Sequence, residues 1–128
     1  MTQTIEQQRA AFALTRIKAL PPQLRPEQQK EFISYASSLP AMIHMNGLGQ
    51  AMAFCRLKGN ERESYQQLYQ LVSDWLCLTG QPYAGKHDVL DGITQCDMAY
   101  YQLAQAEALV FLSWVKKLAK VFLAEDNG

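Results

Sequence analysis

The residues of this 128-residue chain that could do chemistry are few and far apart. His44 and His87 lie in different segments, the carboxylates are scattered singly, and no nucleophile sits in an elbow or triad pattern. Cys55, Cys77 and Cys96 are odd in number, with no CxxC pair and no paired histidines beside them, which argues against both a disulfide framework and a zinc site. They read as buried thiols. His44, beside Met42 and Met45, reads as a half-buried or interface histidine rather than a base. The run Asn46-Gly47-Leu48-Gly49-Gln50 has neither a preceding strand nor a following GK[ST], so it does not fit a phosphate loop. An enzyme, a metal, a cofactor and a small-molecule substrate are all unexpected.

Charge points instead to binding. Lys116, Lys117 and Lys120 share a polar helix face with Gln102, Gln105 and Ser113, and Arg56, Lys58 and Arg62 cluster at a helix junction. Each patch fits a nucleic-acid backbone or a solvated helix face, the last lysines also complementing the helix dipole. The totals balance, with 12 Lys plus Arg against 12 Asp plus Glu, and no whole-protein field announces a partner. Locally they do not balance. Residues 1–30 hold Arg9, Arg16, Lys18, Arg25 and Lys30 against Glu6 and Glu27, whereas residues 86–107 hold Lys86 against Asp88, Asp91, Asp97 and Glu107.

The elements that carry these groups read as helices throughout. Thr4 with Gln7 forms a capping box for a first helix over Ile5–Leu20, stopped by Pro21 and Pro22. Pro26 opens a second helix that Pro40 ends. A third runs from about Ala41 to Lys58 with Gly59 as its C′ residue, and a fourth from an Asn60 cap to Gly80. In the fourth, Tyr65, Leu68, Tyr69, Leu71, Val72, Trp75, Leu76 and Leu78 recur at helical spacing. A long loop, GQPYAGKHD, leads to a short helical turn over Val89–Ile93 and then to the longest helix, capped by Asp97 and reaching about Ala124. The class is all-α, a compact bundle of five to six helices in one domain over residues 1–128, its 48% hydrophobic share being enough for a core.

Two placements stand out. In the third helix, Met45, Leu48, Ala51, Met52 and Cys55 lie on one side and Ile43, Phe54 and Leu57 on the other, with Asn46, Gly49 and Ala53 between. Glycine costs roughly 1 kcal/mol in a helix interior, so Gly47 and Gly49 imply close approach of another helix, with Asn46 and Gln50 bonding inside the protein. In the last helix, Glu107 falls inside an apolar arc of Tyr101, Ala104, Ala108, Phe111, Leu112, Trp114, Val115, Leu118, Ala119 and Phe122, where a carboxylate needs a cation. Arg9 and Arg16, seven residues apart on the apolar side of the first helix, are the candidates. The expectation is a partly buried pair of Glu107 with one of them, the alternative being an arginine facing a phosphate.

The block LPAMIHMNGLGQAMAFCRLKG, followed by a hydrophobic helix and by DGITQCDMAYYQLAQAEALVFLSWVKKLAKVFL, resembles the small helical subunit, fifth in gene order, of the Cmr-type (type III-B) CRISPR RNA-guided effector complex. The resemblance spans nearly the whole chain. It implies a non-catalytic bundle whose copies stack in an inner filament beside backbone and large subunits, along the duplex of guide RNA and target RNA, in antiviral defence. The basic N-terminal region and the acidic 86–107 region would then serve as complementary head-to-tail patches. Arg16, Arg56, Lys58, Lys116, Lys117 and Lys120 are the phosphate candidates chosen by charge and face, giving binding without sequence preference that is weak in the isolated subunit. A helical protein-interaction adaptor with no nucleic-acid role is the alternative. The N-terminus lacks the pattern of a signal peptide and the apolar runs fall short of the roughly 20 residues that span a bilayer, so a soluble cytoplasmic protein without membrane contact is expected.

Overall fold

A computed structural model describes residues 2–123, which form helices α1 (Ile5–Lys18), α2 (Pro26–Lys58), α3 (Glu63–Leu76), α4 (Val89–Gln95) and α5 (Met98–Phe122), with no strand among them. The capping box at α1 is present, with Gln7 N–H donating to Thr4 Oγ1 at 3.0 Å and Thr4 N–H to Gln7 Oε1 at 2.8 Å. Asp97 caps α5 by accepting from Tyr100 N–H at 3.2 Å. The residues around Ala124 lie outside those described, and α5 closes at Leu123.

Helix α2 overturns the expected break at Pro40. It runs through the proline and breaks seven residues later, at Gly47, whose φ of 88° and ψ of 159° belong to no helix. Leu39 and Ile43, on either side of Pro40, are both buried, so the apolar face carries the helix across. The missing proline N–H is accommodated next to Ser37 and Ser38, which donate to the Ile33 and Tyr35 carbonyls at 2.8 and 3.2 Å, a bonding habit that bends helices.

The fourth helix also starts and stops inside its expected limits. Gly59 is right-handed rather than left-handed, and Asn60 does not cap. Its side chain accepts from Arg56 Nη1 at 3.0 Å while Arg62 takes the N-cap position of α3. Gly80 lies in a turn four residues past the end of α3, with φ of 90°. Helices α2, α3 and α5 pack around Leu68, Val72, Trp75, Leu76, Phe111 and Leu112, with α1 laid against α5. The loop from α3 to α4 folds inward. Tyr83 is buried against Gly92, where a Cβ would meet the ring at 2.4 Å, so only glycine admits it.

Candidate nucleic-acid and subunit interface

Arg9 and Arg16 on α1 and Glu107 on α5 are consumed in holding the helices together. Arg9 presents Nε and Nη2 to the two oxygens of Glu107 at 2.7 and 2.8 Å, the fork-to-fork geometry that suits guanidinium and carboxylate. Trp75 Nε1 donates to the same carboxylate at 2.9 Å, joining α3 to the junction. The two charged side chains are 14% and 12% exposed. The Glu107 hydrogen bond raises the Arg9 pKa above its ordinary value against the opposing effect of burial, which holds the guanidinium charged. Arg16 has a different partner, Asp74, at 2.7 Å, in a pair that remains a third or so exposed. Sequence missed Asp74 because it shares the polar face of α3 with ordinary solvated residues.

The break at Gly47 is the second junction. It frees the first N–H groups of the following helical segment, and α5 satisfies them. Leu48 N–H donates to Gln105 Oε1 at 2.9 Å and Gly49 N–H donates to Tyr101 Oη at 2.9 Å. A Cβ on Gly47 would meet that hydroxyl at 3.0 Å, besides facing a backbone conformation that side chains rarely adopt. The expected inward bonding of Asn46 and Gln50 does not occur, since both side chains are exposed. The kink turns them outward, and the amide that bonds inside belongs to Gln105. Met45 and Leu57, one from each apolar side of this segment, are exposed too, at 81% and 65%.

Asp88 closes a third polar site. It accepts from Tyr69 Oη at 2.5 Å, from Ser73 Oγ at 3.2 Å and from Leu90 N–H at 3.1 Å, pinning the start of α4 to α3. Burial, reinforced by this carboxylate, pushes the Tyr69 phenol up. Burial likewise pushes Cys55 up to about 12 and Cys77 up to about 11, so both thiols stay protonated and poorly nucleophilic near neutrality. His44 and His87 are both exposed. No group of three His, Cys, Asp or Glu among the described residues is arranged to hold a metal.

The remaining phosphate candidates divide by availability. Arg56 is exposed and bonded to Asn60, Lys58 is half-buried with Nζ 5.7 Å from the Phe54 ring, and Arg62 is taken by Glu31 at 2.8 Å. Lys116 is half-buried, whereas Lys117 and Lys120 are exposed on the last turns of α5. Lys18 joins that end, its Nζ lying 5.0 Å from the Phe122 ring. Its position at the end of α1 gave no hint of this, because the crossing of α1 over α5 is a tertiary fact. The acidic 86–107 region is depleted as a docking patch. Asp88 and Glu107 are spent internally, which leaves the half-buried Asp91 and the exposed helix cap Asp97 as its remaining carboxylates.

This fold and surface define a small all-α protein whose buried polar groups join helices and whose exposed surface carries cations and large apolar side chains. The family model described as CRISPR-associated protein (Cas_Cmr5) matches residues 5–122, and the chain belongs to that family. It is a Cmr-type CRISPR subunit, and membership implies association with other proteins of the Cmr complex. No helix among the described residues is long and apolar enough to cross a membrane.

Proposed function

We propose that this chain is a non-catalytic structural subunit of a cytoplasmic type III-B effector complex, a single-domain unit that stacks with copies of itself beside the backbone and large subunits and helps to hold the guide RNA and target RNA duplex. Family membership across residues 5–122 carries the reading. The exposed Lys117 and Lys120, with Lys18 at the same end, supply cations for phosphate oxygens, while Arg56 and Lys58 form a second, smaller group. Arg16 ranks last among the candidates because Asp74 already neutralises it. Such contacts give affinity without sequence preference, specificity being left to base pairing with the guide. The exposed Met45, Leu57 and Leu103 favour protein neighbours as the main source of assembly energy.

The test is reconstitution of the complex with partner subunits, guide RNA and target RNA, with and without Lys117→Glu and Lys120→Glu together. The double variant should enter the complex, lose RNA crosslinks to α5, and flatten the salt dependence of duplex retention by roughly one to two counterions per copy. Incorporation with no crosslink to RNA in the unaltered protein would instead favour the adaptor role, in which the chain bridges proteins only.

A further inference from the structure

The outward face of α5 carries a seam that no element of the fold covers. Ala99, Leu103, Ala106, Val110, Ser113 and Lys117 recur at alternating spacings of four and three, the 3.5-residue period of helices that pack lengthwise. All six are exposed, Leu103 at 59% and Val110 at 41%, and the seam is about 27 Å long at the rise of an α-helix. Between Met98 and Val115 the sole charged residue is Glu107, whose carboxylate is turned to Arg9 and Trp75. The outer face of those turns is therefore neutral. Beside it a groove of about 400 Å³, lined by Ile5, Pro82, Tyr100 and Leu103 with Glu107 and Gln81 also at its wall, extends the surface toward α1.

We infer that this seam is a contact between two copies of the chain, α5 lying antiparallel on α5 about a two-fold axis near residue 108. In that arrangement Leu103 faces Ser113 of the second copy, Ala106 faces Val110, and Ala99 faces the methylene stem of Lys117. Each layer sets a large side chain against a small one, which fills the space between helices without a clash. The ends match in charge as well: Lys117 and Lys120 of each copy come within a turn of Asp97 of the other, and symmetry makes the pairing twice. A parallel pairing would stack Leu103 on Leu103 and Lys117 on Lys117, leaving like charges in contact. The antiparallel contact is isologous and closed, so it makes pairs and does not propagate. It belongs to the free protein and is distinct from a polar stack; because it engages Lys117 and Lys120, pairing and phosphate contact by those lysines exclude one another. A contact along one helix face falls at the small end of interfaces, whose standard size is roughly 1,600 Å², and a weak pair, in the micromolar range, is the expected outcome.

Sedimentation velocity of the full chain tests this over concentrations from roughly 1 to 300 μM, a span that brackets micromolar affinity. The wild type should shift from one protomer to two. Leu103→Lys should stay a single protomer throughout while keeping its circular dichroism and melting temperature, because the side chain it replaces is already mostly in solvent. Met45→Lys, exposed outside the seam, should pair like the wild type, and Lys117→Glu should raise the dissociation constant severalfold. A wild type that remains one protomer, growth past two protomers, or a Leu103→Lys protein that pairs normally would each overturn the inference.

Discussion

Two junctions two residues apart on α5 solve opposite problems. At Glu107 the neighbours bring charge: a guanidinium from α1 and an indole N–H from α3 converge on one carboxylate, and the cost of removing ions from water is offset by geometry. At Tyr101 and Gln105 the neighbour brings bare backbone, the donors released where α2 breaks at Gly47, and neutral side chains satisfy them. The first junction fails by leaving an ion alone, the second by leaving an amide unbonded, and those failures differ in size.

The largest effect should follow Glu107→Ala. Losing the carboxylate strands Arg9, apart from its exposed contact with Glu6, and costs about 3–5 kcal/mol in urea unfolding. Glu107→Gln, which retains an acceptor for Trp75, should cost less. Gly47→Ala comes next at about 1–3 kcal/mol, the cost of holding a side chain in a glycine conformation, read from the same unfolding midpoints. Tyr101→Phe removes a hydroxyl alone and should cost about 1 kcal/mol through the unsatisfied Gly49 N–H. Arg16→Gln should cost below about 1 kcal/mol, since its pair with Asp74 is 31% and 39% exposed and water screens it. If Gly47→Ala proved as costly as Glu107→Ala, the contrast between ionic and neutral junctions would break. If Arg16→Gln matched Glu107→Ala, burial would not be what separates the two ion pairs.

The charged junction could be read in the sequence and the neutral one could not, for a physical reason. A glutamate inside an apolar arc violates helical periodicity, and so do arginines on the apolar side of α1, which made Glu107, Arg9 and Arg16 visible without coordinates. Which arginine pairs depends on how two helices cross, and that is a long-range property. The glycines at 47 and 49 announce close approach, but not the direction in which α2 turns, so the sequence points Asn46 and Gln50 inward whereas the kink sends them out. Pro40 misled in the other direction. Its local preference against a helix interior was overridden by Leu39 and Ile43, whose burial outweighs one lost hydrogen bond. Among the cations, type and face were legible, whereas the loss of Arg62 to Glu31 and the arrival of Lys18 beside Phe122 were not.

The break at Gly47 also gives α2 a built-in gauge. Within an unbroken helix an amide proton exchanges with deuterium when its own segment frays. The protons of Leu48 and Gly49 are held by acceptors on α5, so they exchange when α5 lifts away. Two adjacent positions in the middle of a long helix thus report tertiary separation, and their protection during assembly would time the docking of α5 independently of helix content.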